Sequence, residues 1–359
     1  MAFTNVYTVA VDRTKCGAGN LGNFPLLISA SHASLKSTAH GGDVTDGTNG
    51  FDIVVFADGN LSTYVPWEVE SWNPVSGTLV IHALCASVNG SSAGSNSSLV
   101  VAWGNSAITT QQNVGSFAPA NVWDSDYKLV LHMNSNSSFP DSTSNGNNAT
   151  LIGPASAITG QIDGAVAWQR GPTYSGYVSV GTSGFASGAN PFTISFWFAP
   201  APSGGIHYDL VLGNYATALD GVVIHTDGSV VSLGTPGHEL TFSSLSGWHH
   251  VAFVYDGTNL AIYHNGSLMS GSPQTLTLNT TNSIATVGFP GILGSVFNNI
   301  GSADETRVSI GTSHGSPDWI VSEFNNQKNP GNIGSPNFLI WTSGATVTQQ
   351  NQPQMFVMT

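Results

Sequence analysis

The stretch from Trp248 to Gly266 constrains the fold most, because it reads as two strands joined by a tight turn. His249 to Tyr255 and Leu260 to His264 are rich in Val, Ile, Phe and Tyr, side chains that pack well on a pleated surface. Between them, Asp256, Gly257, Thr258 and Asn259 supply the positive-φ residues of a hairpin connection, and Asn265 with Gly266 marks a second turn. Side chains alternate along a strand, so Val251, Phe253 and Tyr255 share one face, and Leu260, Ile262 and His264 share a face of the partner. One side of the pair therefore enters a core, which makes it part of a two-layer β element and not an active-site loop.

The rest of the chain has the same character. At 359 residues it is long for one sandwich and suits two. With 40% hydrophobic and 8% charged residues it builds ample core, while 42 glycines and abundant Ser, Thr and Asn imply short strands and many turns. The net charge of −13 comes from 20 carboxylates against 7 Lys and Arg, with no basic stripe to neutralise phosphates, which argues against nucleic acid as a partner. No apolar run is long enough to cross a membrane, so no membrane insertion is expected. The start lacks a signal peptide's basic and hydrophobic pattern, and the expectation is synthesis in a cytoplasm without general export. Cys16 and Cys85 are expected as free, small apolar side chains, although a bridge between them is conceivable.

In the first unit, residues 1–118, strands are expected at Val6 to Val11, Phe24 to Ser29, Phe51 to Phe56, Tyr64 to Glu70, Thr78 to Leu84 and Ser98 to Trp103. Ser116 to Asn121 reads as an Ala/Pro linker, and a second sandwich spans residues 119–325. Near its end Ser316 is a helix cap, Pro317 suits the first helical position, Asp318 suits the dipole, and Ile320 and Phe324 share a face. Residues 326–359 read as a C-terminal extension with one strand-like run, Phe338 to Trp341, and a polar tail. Such a tail is ordered only against another surface, so an assembly contact and an oligomer are expected.

Trp248 to Ala252, with Tyr255 to Gly257 and Tyr263 to Gly266, resembles the central hairpin of laminin-G-like domains, the concanavalin A-like jelly-roll sandwiches. In the same order, Asp141 to Asn148 resembles that family's polar opening loop, Pro191 to Trp197 an inner-sheet strand and Ala303 to Val308 the closing strand. These matches span about half the chain. In the first unit, Asn23 to Ser29, Phe51 to Phe56, Val65 to Trp72 and Leu99 to Asn105 resemble an uncharacterised β-sandwich family. That family often precedes a laminin-G-like domain in bacterial and phage surface proteins, and it implies no established activity. The expected fold is all-β: two β-sandwich domains, the second a laminin-G-like jelly roll, with one short C-terminal helix.

Four sets of residues invite chemistry. Asp141, Asn145 and Asn147 in a loop, with Asp304 beside Glu305 at a strand start, offer oxygens for a structural calcium, which loops of this kind bind in many laminin-G-like domains. Alternatively Asp141 and Asn145 form side-chain-to-backbone turns, and Glu305 pairs with Arg307 or Lys128. Glu68 and Glu70 share a strand face, the way glycoside hydrolases present paired acids, but they lie outside the jelly roll, whose own isolated acid is Glu239. His249 and His250 are adjacent and point to opposite faces, so they do not chelate one ion. Tyr174, Tyr177, Tyr208 and Tyr215 are the candidate platform on which sugar rings stack, the commoner fate of such rings being burial at a sheet edge.

Two sandwiches without a catalytic constellation point to a non-enzymatic protein. The expected function is a bacteriophage virion component, a capsid decoration, fibre or tail part, displaying a laminin-G-like domain for adhesion. Its partners would be other virion proteins or copies of itself, together with host cell-surface glycans, and its location the virion. The alternatives are a bacterial cell-surface adhesin or carbohydrate-binding module, and a glycan-cleaving enzyme.

Overall fold

A computed structural model describes residues 2–169, 176–181, 183–185, 189–200, 206–214, 220–227, 230–234, 238–243, 246–278, 285–287 and 301–344. The chain divides into two compact units, Met1–Asp124 with Asn325–Thr359, and Ser125–Phe324. It is mostly β, and no helix among the described residues is long and apolar enough to cross a membrane.

In the first unit a four-stranded sheet runs in the order Leu339–Ser343, Asn5–Val11, Ser98–Trp103, Val54–Phe56. A three-stranded sheet runs in the order Leu21–Ser31, Thr78–Val88, Trp67–Asn73. Trp67, Trp103, Phe24, Phe56 and Leu26 are fully buried in this unit. Cys16 and Cys85 are buried and not joined in a disulfide, and burial pushes the Cys85 thiol up to about 11, which keeps it out of thiolate chemistry.

Two sequence expectations need correction. Residues 326–344 are not a separate extension, because Leu339–Ser343 pairs antiparallel with Asn5–Val11, Trp341 lying opposite Val9; the expected polar tail, 345–359, lies outside the described residues. A run of Leu, Ile and Trp has an edge of open backbone groups to complete, and adding one strand to the first sheet satisfies both. The expected linker at residues 116–121 instead forms 3-10 turns, Gly115–Phe117 and Pro119–Val122, and Trp123 is still buried, so the boundary falls at Asp124.

The second unit stacks two antiparallel sheets. In the larger, Phe192–Pro200 lies between His249–Tyr255 and Gly301–Ile310. In the smaller, Ile206–Asn214, Ala285–Val287 and Tyr177–Val180 are neighbours. The hairpin forms in the register its alternation implies, with Val251 opposite His264, Phe253 opposite Ile262 and Tyr255 opposite Leu260. These apolar side chains enter a core with Phe196 and Leu131, and with Val178, Val231 and Val287 from the smaller sheet. Asp256 closes the turn by accepting from the backbone N–H groups of Thr258 at 2.8 Å and Asn259 at 2.6 Å, with Gly257 at φ +99. The Asn259 side-chain amide, donating to Asp256 Oδ2 at 3.0 Å, and then those backbone bonds hold the Asp256 carboxyl below its ordinary value.

The helix Pro317–Lys328 begins as its cap signals require, the Trp319 N–H donating to Ser316 Oγ at 3.1 Å. In the second unit its Phe324 ring stacks on Trp197, centroids 5.8 Å apart, and closes the outer face of the larger sheet there. Gly266 makes this possible. It turns at φ +76, and a Cβ added there would sit 2.7 Å from the Phe324 ring. Gly266→Ala is therefore expected to lower stability by about 1–3 kcal/mol in urea unfolding, a positive-φ penalty and an overpacking penalty together. An unchanged midpoint would show that neither acts.

Candidate functional site

The loop that opens the second unit is held by Asp141. Its Oδ1 accepts from the N–H groups of Val130 and Thr143, both at 3.0 Å. Its Oδ2 accepts from Thr143 Oγ1 and from the Asn147 N–H, both at 2.8 Å. Asn145 Nδ2 donates to the Tyr127 carbonyl at 2.9 Å, and Asn147 Nδ2 donates to the carbonyls of Lys128 at 2.7 Å and Ser183 at 2.9 Å. Asp304 is bound into a different loop, its Oδ2 accepting from the N–H groups of Gln161 at 2.8 Å and Ile162 at 3.0 Å.

This donor set does not fit the calcium expected from the sequence. A hard cation takes six to eight oxygens, whereas Asp141 already receives four donors and Asp304 faces another loop. The turn alternative describes the loop instead. Asp141→Ala should cost on the order of 2 kcal/mol by orphaning backbone N–H groups. Adding a chelator to the parent protein should leave its melting temperature unchanged. A chelator-induced drop would return a metal to this unit.

Of the four tyrosines, Tyr174 and Tyr215 lie outside the described residues. Tyr177 opens the strand Tyr177–Val180 opposite Ile152, and Tyr208 lies in Ile206–Asn214 opposite His225, where the register shifts. Both strands flank Ala285–Val287, with Ser179 and Val211 each opposite Thr286. Tyr177 stands two residues before Ser179 and Tyr208 three before Val211, so both positions reach the same end of one sheet. Val178 and Val180 point into the core and Ser179 is exposed, which puts the half-buried Tyr177 on the outward face.

The outer face of the larger sheet carries a buried ionic chain that sequence reasoning found only in part. Arg307 Nη2 donates to Glu305 Oε2 at 2.8 Å and Nη1 to Glu323 Oε2 at 3.3 Å. His132 Nδ1 meets the other oxygen of Glu305 at 2.6 Å, and His250 Nε2 meets Glu323 Oε1 at 3.2 Å. The Arg307, Glu305 and Glu323 side chains are no more than 4% exposed. Burial by itself would raise the Glu323 carboxyl, but the His250 hydrogen bond and the Arg307 charge outweigh it and hold it at about 2. Burial opposes the Arg307 charge, and the two carboxylates outweigh it and push its pKa upward. Held this low, Glu323 is a poor proton carrier near neutrality and acts as structure. The pairing of Glu305 with Arg307 was legible as opposite charges two apart on a strand. Glu323, His250 and His132 come from distant segments and gave no local signal.

His249 and His250 face opposite ways, as alternation requires. His250 lies against Trp197, centroids 5.2 Å apart, whereas His249 Nδ1 meets His264 Nε2 at 3.0 Å and His264 stacks on Phe242 at 3.9 Å. Burial, then the nearby His249 and His250, lowers the His264 imidazole to about 4, and burial lowers His249 as well. Both stay neutral near pH 7.

In the first unit, Glu70 Oε2 meets His82 Nε2 at 3.0 Å, both side chains being fully buried. Glu68 lies opposite His82, and its Oε2 accepts from Trp123 Nε1 at 2.9 Å. The strand register shifts between Val69 and Ser71, at Glu70. The two acids thus have different partners. Glu239 is exposed.

Residues 172–309 match the model of the concanavalin A-like lectin/glucanases superfamily. No sequence among the curated proteins matches the chain. Similar solved structures include the binding domain of Paraclostridial Mosquitocidal Protein 1, at 15% identity and a TM-score of 0.44, covering 56% of this chain and 52% of that one. The binding domain of botulinum neurotoxin DC is similar in its complex with rat synaptotagmin II, at 14% identity and a TM-score of 0.42, with the same 56% and 52% coverage. In its complex with SialylT it matches at 16% identity and a TM-score of 0.41, again covering 56% and 52%. The chain spans about half the length of each of these structures. The two stacked antiparallel sheets and the superfamily match over residues 172–309 together give the second unit the fold of a concanavalin A-like, laminin-G-type sandwich.

Proposed function

We propose that the protein is a non-enzymatic surface component of a bacteriophage particle, a capsid decoration, fibre or tail part, whose lectin-type sandwich adheres to host glycans. The observation that carries adhesion is the concanavalin A-like unit with Tyr177 and Tyr208 at one end of its smaller sheet. Pyranose rings stack on such side chains through their C–H faces. A binding role without bond cleavage is supported by the buried acids of this unit, since Glu305 and Glu323 are committed to Arg307. The particle setting draws on the first unit, whose segments resemble a family that precedes laminin-G-like domains in phage and bacterial surface proteins. Copies of the chain, or neighbouring virion proteins, would be its assembly partners.

The test is adhesion of the purified protein to host-surface polysaccharide, with release of reducing ends followed in the same samples. Binding without release is expected, and Tyr177→Ala combined with Tyr208→Ala should weaken it at least tenfold. Cleavage of the polysaccharide, or binding indifferent to both substitutions, would overturn the proposal. Fractionation of the native source separates the settings: presence in particles supports the virion, whereas presence in cell envelopes alone would identify a bacterial surface adhesin.

A further inference from the structure

The first unit has a cleft of about 290 Å³ that adhesion through the second unit does not use. One wall is the strand Trp67–Asn73, which contributes Trp67, Glu68 and Val69. This strand ends the three-stranded sheet, so the cleft follows a sheet edge. Asn49, Phe51 and Gln111 also line it. The segment bearing Gln111 is pinned in place, because Asn113 Nδ2 donates to the Trp67 carbonyl at 2.8 Å. Glu68 is oriented by the Trp123 indole N–H on its Oε2 at 2.9 Å.

The lining chemistry selects among ligands. It includes Glu68 and no Lys, Arg or His, so a phosphate or a carboxylated sugar meets a like charge with nothing to offset it. The amides of Gln111 and of Asn49, whose side chain also bonds Asp46, are both exposed and carry donors and acceptors that match hydroxyl groups. Phe51, Ile53, Val69 and Pro119 give the same cleft an apolar lining for a ring's C–H face. Its volume lies just below the roughly 300–1,000 Å³ typical of ligand pockets, which suits a single sugar unit.

We infer that this cleft is a second carbohydrate site, which takes an uncharged hexose or N-acetylhexosamine unit. Glu68 and the two amides bind its hydroxyls, and the apolar lining takes its ring. A weak site here, added to the one in the lectin-type unit, raises the avidity of the whole chain for a repeating glycan.

The test uses the whole 359-residue chain carrying Tyr177→Ala and Tyr208→Ala, so that failure of the tyrosine site does not touch the outcome. Ligand-observed saturation-transfer NMR is run with glucose, galactose and N-acetylglucosamine, and with N-acetylneuraminic acid and inorganic phosphate as charged probes. At least one neutral sugar should bind. Adding Asn49→Ala and Gln111→Ala should weaken that binding at least tenfold; because the Asn49 side chain also bonds Asp46, the melting curve of each variant is recorded beside its binding, and Gln111→Ala alone should leave that curve in place. Glu68→Gln keeps an acceptor for Trp123 and should weaken it less. The proposal is overturned if no neutral sugar binds, if the amide substitutions change nothing, or if a charged probe binds the cleft more tightly.

Discussion

Replacing Arg307 with Met should lower the stability of the second unit by about 3–5 kcal/mol in urea unfolding at pH 7, among the largest single-residue effects expected in this protein. The guanidinium is the one cation that both Glu305 and Glu323 contact among the described residues, at 2.8 and 3.3 Å. Its removal leaves two buried carboxylates facing each other across an apolar side chain. Each keeps its histidine, His132 on Glu305 and His250 on Glu323, but loses the shared guanidinium, and must ionise with less compensation or take up a proton; either course costs free energy. Adding Glu305→Gln and Glu323→Gln to the Met variant should recover most of the loss, because the deficit is unbalanced charge more than lost packing. A loss below about 1 kcal/mol for Arg307→Met alone would show that solvent already screens the group.

Acid should unfold the second unit in two stages with separate causes. The His264 imidazole falls from an ordinary 6.5 to about 4 in the folded chain, so the unfolded chain binds the proton more readily. A depressed pKa contributes stability that is present above pH 6.5 and is lost as the pH falls toward 4. His249, lowered by burial, acts in the same direction. After discounting for partial exposure, this stage is worth about 1–2 kcal/mol. Glu323 falls from 4.5 to about 2, so its contribution is complete above pH 4.5 and disappears as the pH drops toward 2. That group is fully buried, and its share is about 3 kcal/mol. His264→Phe keeps a ring against Phe242 and should flatten the first stage while leaving the second. Urea midpoints recorded from pH 7.5 to 3 measure both, and a constant midpoint between pH 7 and 4 would contradict the histidine assignment.

Much of the architecture follows from local pattern. Alternation in the Trp248 to Gly266 stretch, with turn formers at Asp256 to Asn259 and at Asn265, is enough to set which side chains of the hairpin enter the core. Ser98–Trp103 occupies the span its Val-rich run implies, and the helix starts after Ser316 because cap, proline and acid stand in the order a helix start requires. These are interactions between residues a few positions apart, and sequence spacing describes them completely.

What spacing leaves open is which distant segments meet. Asp141 and Asp304 both look like cation ligands in the sequence, yet sheet order sends one to the backbone of Val130 and the other to that of Gln161. Leu339–Ser343 returns to the first strand of the chain, and Glu323 reaches Arg307 and His250 only because the helix folds onto the larger sheet. By itself the sequence determined the strands, their inward faces, the tight turns and the helix start, since each depends on local geometry. Only the tertiary structure decided how charges from separate segments pair, because burial removes water as a competitor and leaves a carboxylate dependent on whichever partner the topology brings to it.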